Sequence, residues 1–222
     1  VYLLKENKKS KEFQKTLMDN EQNPEKKRNS EILYAKYCEF EIILNMIGFV
    51  DIAALDLFTI MRNLLKARSE WDRRFYAREA CMNLYELTND ILEMLGDDKD
   101  ENHVKRGVNP IVIVINDVNL SLLQNEVRAQ FNEFKGEIGA KGRNYSEVRN
   151  ISVAHKDHDF QTQYDSINKV SWGEVVEDFR EFMNMFYYLR LFNKSLTSHY
   201  SMKYHQDVKP VLEFVKNYGR KS

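Results

Sequence analysis

Apolar residues along this chain recur at intervals of three and four far more often than they alternate. Leu120, Leu123, Val127, Phe131 and Phe134 keep that spacing, and so do Val175, Phe179, Phe182, Phe186 and Leu189. It is the period that collects side chains on one face of an α-helix. Phe75, Cys81/Met82, Leu84, Leu87 and Ile91 make a third run, opened by Ser69 and Asp72 as a short-acid capping box and closed by Gly96. A fourth, through Leu55, Phe58, Met61 and Leu65, predicts a helix capped by Asp51, with a break near Gly48. Ile32 to Met46 reads as helix, although Cys38 to Ile42 alternates like a strand.

The polar stretches punctuate these runs. Residues 1–29 are lysine-rich and broken at Asn23-Pro24, which predicts a weak helix followed by a mobile linker. Asp97 to Asn109 reads as an acidic loop, and Asn109-Pro110 as the start of the helix that carries Leu120 to Phe134. Gly136, Gly139 and Gly142 are expected to break that helix; without a preceding strand or a lysine-serine ending they make a linker rather than a phosphate cradle. Asn144 with Glu147, and Ser171 with Glu174, are capping pairs for the next two helices, and Asp207 to Pro210 suggests a short terminal helix. The expectation is an all-α, antiparallel helical bundle of about five to seven helices. It divides into a polar N-terminal arm (1–29), a helical domain (30–200) and a basic C-terminal extension (201–222).

Composition narrows the function classes. Apolar content of 43% excludes a disordered chain, and only eight Gly and three Pro favour long helices over strands and turns. A formal charge of −1 excludes a generic nucleic-acid coat, so any RNA contact must be local. Cys38 and Cys81 are too few for a disulfide framework or a structural zinc site, and read as free thiols in a reducing compartment. The most apolar window, Ile42 to Met61, contains Asn45, Asp51 and Asp56. One central Asp alone costs about 2.5–3.5 kcal/mol on insertion, so the window reads as buried core. Lys5 to Arg28 has no apolar stretch of signal-peptide type. These features predict a soluble, cytoplasmic protein with no membrane contact.

The chemistry concentrates in Arg149-Asn150-Ile151-Ser152-Val153-Ala154-His155. Arg offers phosphate oxygens a permanent planar charge, and His takes and gives protons near neutrality. Arg-Asn-x-x-x-Ala-His, late in a helix-rich chain, resembles the Arg-x(4–6)-His motif of the HEPN superfamily, particularly its abortive-infection and toxin-like members. The resemblance implies an all-α domain acting as a metal-independent endoribonuclease, with two motifs paired across a homodimer and no cofactor. It implies Arg149, Asn150 and His155 as the catalytic set. Lys141, Arg143 and Lys156 beside it are the RNA-binding candidates, and an antitoxin protein would be a further partner in a toxin or phage-defence setting. Members with a Tyr two residues after the His have a tighter motif; this chain has Asp157 there, which puts a tyrosine-dependent mechanism in doubt.

Spacing bears independently on assembly. On a straight helix Arg149 and His155 differ by about 120° in direction and about 9 Å in rise, so they do not easily converge on one phosphodiester. Either the helix ends before His155, or a C2 partner completes the site. With no readable protein nucleophile, the 2′-OH of RNA would attack, His155 would act as general base or acid, and Arg149 would stabilise the phosphoryl charge. Other readings stay open. Val148, Ile151 and His155 share a stripe, so His155 is alternatively a core histidine bonded to a carbonyl, and the chain a HEPN-like binding or dimerisation module that cuts nothing. His155, Asp157, His158 and Asp159 are a rival metal-ligand cluster, although adjacent residues seldom all reach one ion.

Overall fold

A computed structural model describes residues 2–96, 118–143, 145–150, 161, 164–165 and 168–218. Among them six α-helices follow one another and there is no strand: α1 Tyr2–Asn20, α2 Pro24–Lys66, α3 Glu70–Met94, α4 Val118–Ala140, α5 Tyr145–Arg149 and α6 Trp172–Tyr218. The all-α class and the helix number agree with the sequence pattern. Compactness, however, divides the chain elsewhere than the composition shifts do. One unit comprises Val1–Gly48 with Asn193–Ser222, and the other Phe49–Phe192.

In the first unit the N-terminal helix is tied down. The buried Asn7 donates its side-chain amide to the Tyr37 carbonyl at 2.9 Å, and Lys11 pairs with Glu41. That pair raises the Lys11 pKa, chiefly through the hydrogen bond to Glu41. Three residues, Glu21 to Asn23, separate α1 from α2. Asn23 caps α2 directly, its Oδ1 accepting from the Glu25 and Lys26 amides at 3.0 and 3.3 Å. Pro24 occupies the first helical position, where its missing N–H costs nothing. A breaker and a helix start look alike in sequence, and here Asn23-Pro24 is a start.

The α2 helix also departs from expectation. It runs unbroken through Gly48 and Asp51. A glycine costs a helix only about 1 kcal/mol, and Val50, Leu57, Met61 and Leu64 form a continuous buried stripe past it. That stripe is turned one residue from the expected one, because Leu55 and Leu65 are 64% and 66% exposed. By length and composition α2 is apolar enough to cross a membrane. Asp51 and Asp56, both exposed, stand within it.

In the second unit α3 packs against both α4 and α5. Ser69 caps α3, its Oγ accepting from the Asp72 amide at 3.0 Å, and Gly96 follows the end of the helix at φ +84°. The aromatic centre lies where α4 meets α6. Phe182 stands edge-on to Phe131 at 5.9 Å and stacks with Phe186 at 6.0 Å. Gly136 and Gly139 do not break α4, which continues to Ala140. The break belongs to Gly142 at φ +69°, where Arg143 N donates to Ile138 O at 3.1 Å and Gly142 N to Gly139 O at 3.0 Å. These are the two bonds of a Schellman C-cap, which needs a left-handed residue at that one position. α6 starts after Ser171 as expected but extends as one helix past Pro210, so there is no separate terminal helix. The Asp97–Asn109 loop, the Asn109-Pro110 start and Asn144 lie outside the described residues.

Candidate functional site

The motif segment begins where α4 stops. The Schellman turn delivers Arg143 to α6, where its Nη1 donates to the carboxylate of Asp178 and its Nη2 lies 3.3 Å from Glu177 Oε2. Asp178 is completely buried. The Tyr145 hydroxyl donates to its other oxygen, and Lys141 Nζ lies 3.9 Å away. Both carboxylate oxygens are thus occupied, as a buried charge requires. A helix of five residues has no stability of its own. The α5 helix exists because Tyr145 and Val148 are buried and because Tyr145 is anchored on Asp178.

Cys81 of α3 extends this network through a hydrogen bond with Tyr145. Burial pushes its thiol up to about 12 despite that bond and the nearby Arg143. The Tyr145 hydroxyl is raised too, first by burial and then by the neighbouring Cys81. A thiol held so firmly in its neutral form is no nucleophile at physiological pH.

At the other end of α5 stands Arg149. Its Nε donates to Glu86 Oε1 of α3 at 3.2 Å and its Nη1 to Asn150 Oδ1 at 3.3 Å. The side chain remains 40% exposed. Glu86 belongs to an acidic edge with Asp90 and Glu93, and burial followed by these two charges raises the Asp90 pKa. The Arg149 guanidinium thus meets Glu86 of α3 and its own chain neighbour Asn150. His155 and Lys156 lie outside the described residues, as do Asp157, His158 and Asp159 of the rival metal cluster. Among the described residues no group of three or more His, Cys, Asp or Glu side chains is arranged to hold a metal ion.

Of the RNA-binding candidates, Lys141 and Arg143 line one cleft of about 510 Å³ with Tyr145, Glu147, Lys169 and Glu174. Both already meet carboxylates: Lys141 donates to Glu181 at 3.0 Å, and Arg143 binds Glu177 and Asp178. Arg149 is not among the residues that line this cleft.

Asp178 and Tyr145 had no place in the sequence reading, and Cys81 entered it only as a position on an apolar run and as a free thiol. Asp178 was visible in principle, lying three residues after Val175 and four before Phe182 on the apolar stripe of α6. An acid at a core position announces a buried partner; which cation answers it is decided only by the fold. No protein-family model matches the chain, and neither curated proteins nor solved structures provide a match.

Proposed function

We propose that this chain is a metal-independent endoribonuclease of HEPN-like type, working as a C2 homodimer with the motif segment at or beside the contact. What supports it is the mounting of Arg149: a partly exposed guanidinium, held by Glu86 and Asn150 at the end of a short helix that is itself pinned to a buried carboxylate. A guanidinium whose carboxylate partner is itself half exposed can give that partner up for a phosphate oxygen, while the anchored helix keeps it at the site. In this mechanism the 2′-OH attacks the adjacent phosphorus, His155 accepts its proton, and the 5′-oxygen leaves after receiving a proton from the partner's His155. The products are a 2′,3′-cyclic phosphate and a 5′-hydroxyl. Arg149 neutralises charge building on the phosphoryl oxygens, exchanging its exposed pairing with Glu86 for the phosphate.

The second reading is a HEPN-like binding or dimerisation module without activity. It is favoured by the acids that already answer Arg149, Arg143 and Lys141. RNA cleavage by the purified protein in EDTA separates the two. The nuclease cuts RNA but not DNA of the same sequence, and Arg149→Ala slows it by about 10²–10³-fold and His155→Ala by about 10²–10⁴-fold. Cleavage of DNA, dependence on a divalent ion, or undiminished cutting by both variants would overturn the mechanism. Sedimentation showing only monomer at micromolar concentration would remove the shared site.

A further inference from the structure

The first turns of α3 present two large aromatic rings to solvent: Trp71 is 59% exposed and Phe75 44%. Arg74, Phe75 and Arg78 stand three, four and seven residues after Trp71, so all four share one helix face. The Arg78 guanidinium lies over the Phe75 ring at 5.3 Å. Beside this face, Arg73 lies over the Trp172 ring at 5.5 Å and Arg74 donates to the Asn168 side chain, which docks the start of α6 against the start of α3. Trp172 is itself 43% exposed, so both tryptophans of the chain belong to this surface.

Exposed rings gathered in one place mark a surface that meets something, and charge selects what. Lys66, Arg68, Arg73, Arg74 and Arg78 follow one another here against Glu70 and Asp72, in a chain whose formal charge is −1. The carboxylates that answer Arg74 and Arg78 are Glu70 at 3.1 Å and Glu79 at 3.2 Å, both partly exposed. Pairs open to solvent are weak, and a phosphate can displace them. Guanidinium groups beside open rings fit a single-stranded nucleic acid, whose phosphates take the cations while its unpaired bases stack on the rings. A duplex keeps its bases stacked on one another and offers the rings nothing. An acidic peptide would answer the charge but leave the rings without flat partners.

Position ties this surface to Arg149. Glu86, which Arg149 meets at 3.2 Å, stands eleven residues after Phe75 on the same helix. Eleven residues are close to three turns, so Glu86 points within about 20° of Phe75 and lies about 16 Å further along the axis. Met82, between them on that stripe, is buried, which confines the stacking surface to the first turns. One strand of several nucleotides can therefore reach from Trp71 and Phe75 to Arg149.

We propose that the start of α3 is a stacking platform for single-stranded RNA, with bases on Trp71 and Phe75, phosphates on Arg74 and Arg78, and the strand running along α3 to Arg149. That the occupant is a single-stranded polyanion stands on the rings and the charge; that it is RNA and continues to Arg149 rests on the ribonuclease reading.

The test uses a single-stranded RNA of about ten nucleotides whose 2′-oxygens are methylated, so that it binds without being cut. Titration should quench tryptophan fluorescence, and a Trp172→Phe variant, in which Trp71 is the remaining reporter, should show the quench as well. The same sequence as a duplex should bind at least tenfold more weakly. Trp71→Ala and Phe75→Ala should each weaken single-strand binding about tenfold, and Trp71→Phe, which keeps a ring, far less. Both alanine variants should melt close to the parent chain, because the rings they remove are substantially exposed. Affinity should fall with salt along a shallow slope, since only a few phosphates are held. No binding of the single strand, equal binding of the duplex, or binding indifferent to both alanine substitutions would each overturn the platform. Self-association undone by Trp71→Ala, in a chain that binds no RNA, would make the face a protein contact instead. The two readings fail separately. RNA cleavage whose KM is unmoved by Trp71→Ala sinks the platform alone, whereas ring-dependent binding of single strands by a protein that cuts no RNA upholds the platform and sinks the nuclease.

Discussion

Arg143 and Arg149 stand six residues apart at the two ends of the motif segment, and the fold uses them in opposite ways. The Arg143 side chain is 11% exposed and bound to a completely buried carboxylate, whereas that of Arg149 is 40% exposed and bound to one that is itself half exposed. The residue type and the kind of partner are the same, so the difference is solvent. In water an ion pair at contact distance is worth about 1 kcal/mol or less, because both ions are well hydrated when apart. Away from water, separation leaves each charge uncompensated, and the pair becomes hard to break. Arg143 is therefore a structural strut, and Arg149 is free to exchange Glu86 for another anion.

The widest test of this contrast is Asp178→Ala. It leaves the Arg143 guanidinium without its buried partner and the Tyr145 hydroxyl without its acceptor, and should cost about 3–5 kcal/mol in denaturant unfolding. A loss under about 1 kcal/mol would mean that Arg143 is no more a strut than Arg149. Alkaline pH probes the same buried network. Cys81 is raised in the folded state to about 12 against an ordinary value of 9.0, so its contribution is fully present below pH 9 and is lost as pH rises towards 12, because only the unfolded chain ionises in that window. Tyr145 shifts in the same direction and adds to the effect. Cys81→Ala should flatten the fall in melting temperature over this range; an unchanged slope would place the titration elsewhere.

A smaller effect is expected where the chain turns into Arg143. Gly142→Ala puts a side chain at φ +69° and should cost about 1–2 kcal/mol, read from the same unfolding curves. The smallest belongs to Arg149→Ala, whose exposed pair with Glu86 should contribute under about 1 kcal/mol to stability. Unfolding measured on the variants used for RNA cleavage checks this, and a loss of 3 kcal/mol or more would make Arg149 a strut as well.

The helices were largely legible because each buries one stripe whose 3.6-residue period is written in the chain. Val127, Phe131 and Phe134 in α4, and Val175, Phe182, Phe186 and Leu189 in α6, are buried as the pattern requires. In α2 the same reasoning chose the wrong face. Apolar residues occur nearly all round that helix, so periodicity could not decide between Leu55 and Leu57, and packing buried Leu57. Glycine misled for a related cause: Gly136, Gly139 and Gly142 look equivalent as letters, but only Gly142 adopts the left-handed conformation that ends α4.

The local alphabet of the chain was enough to specify helices and the Ser69 cap, since these depend on residues a few positions apart. It could not distinguish the two arginines. Arg143 meets Asp178 across 35 residues and Arg149 meets Glu86 across 63, and whether water reaches those meetings is settled only when the helices pack. The dielectric around a charge is a property of everything that surrounds it, so tertiary structure alone made one arginine a fixed strut and left the other exposed.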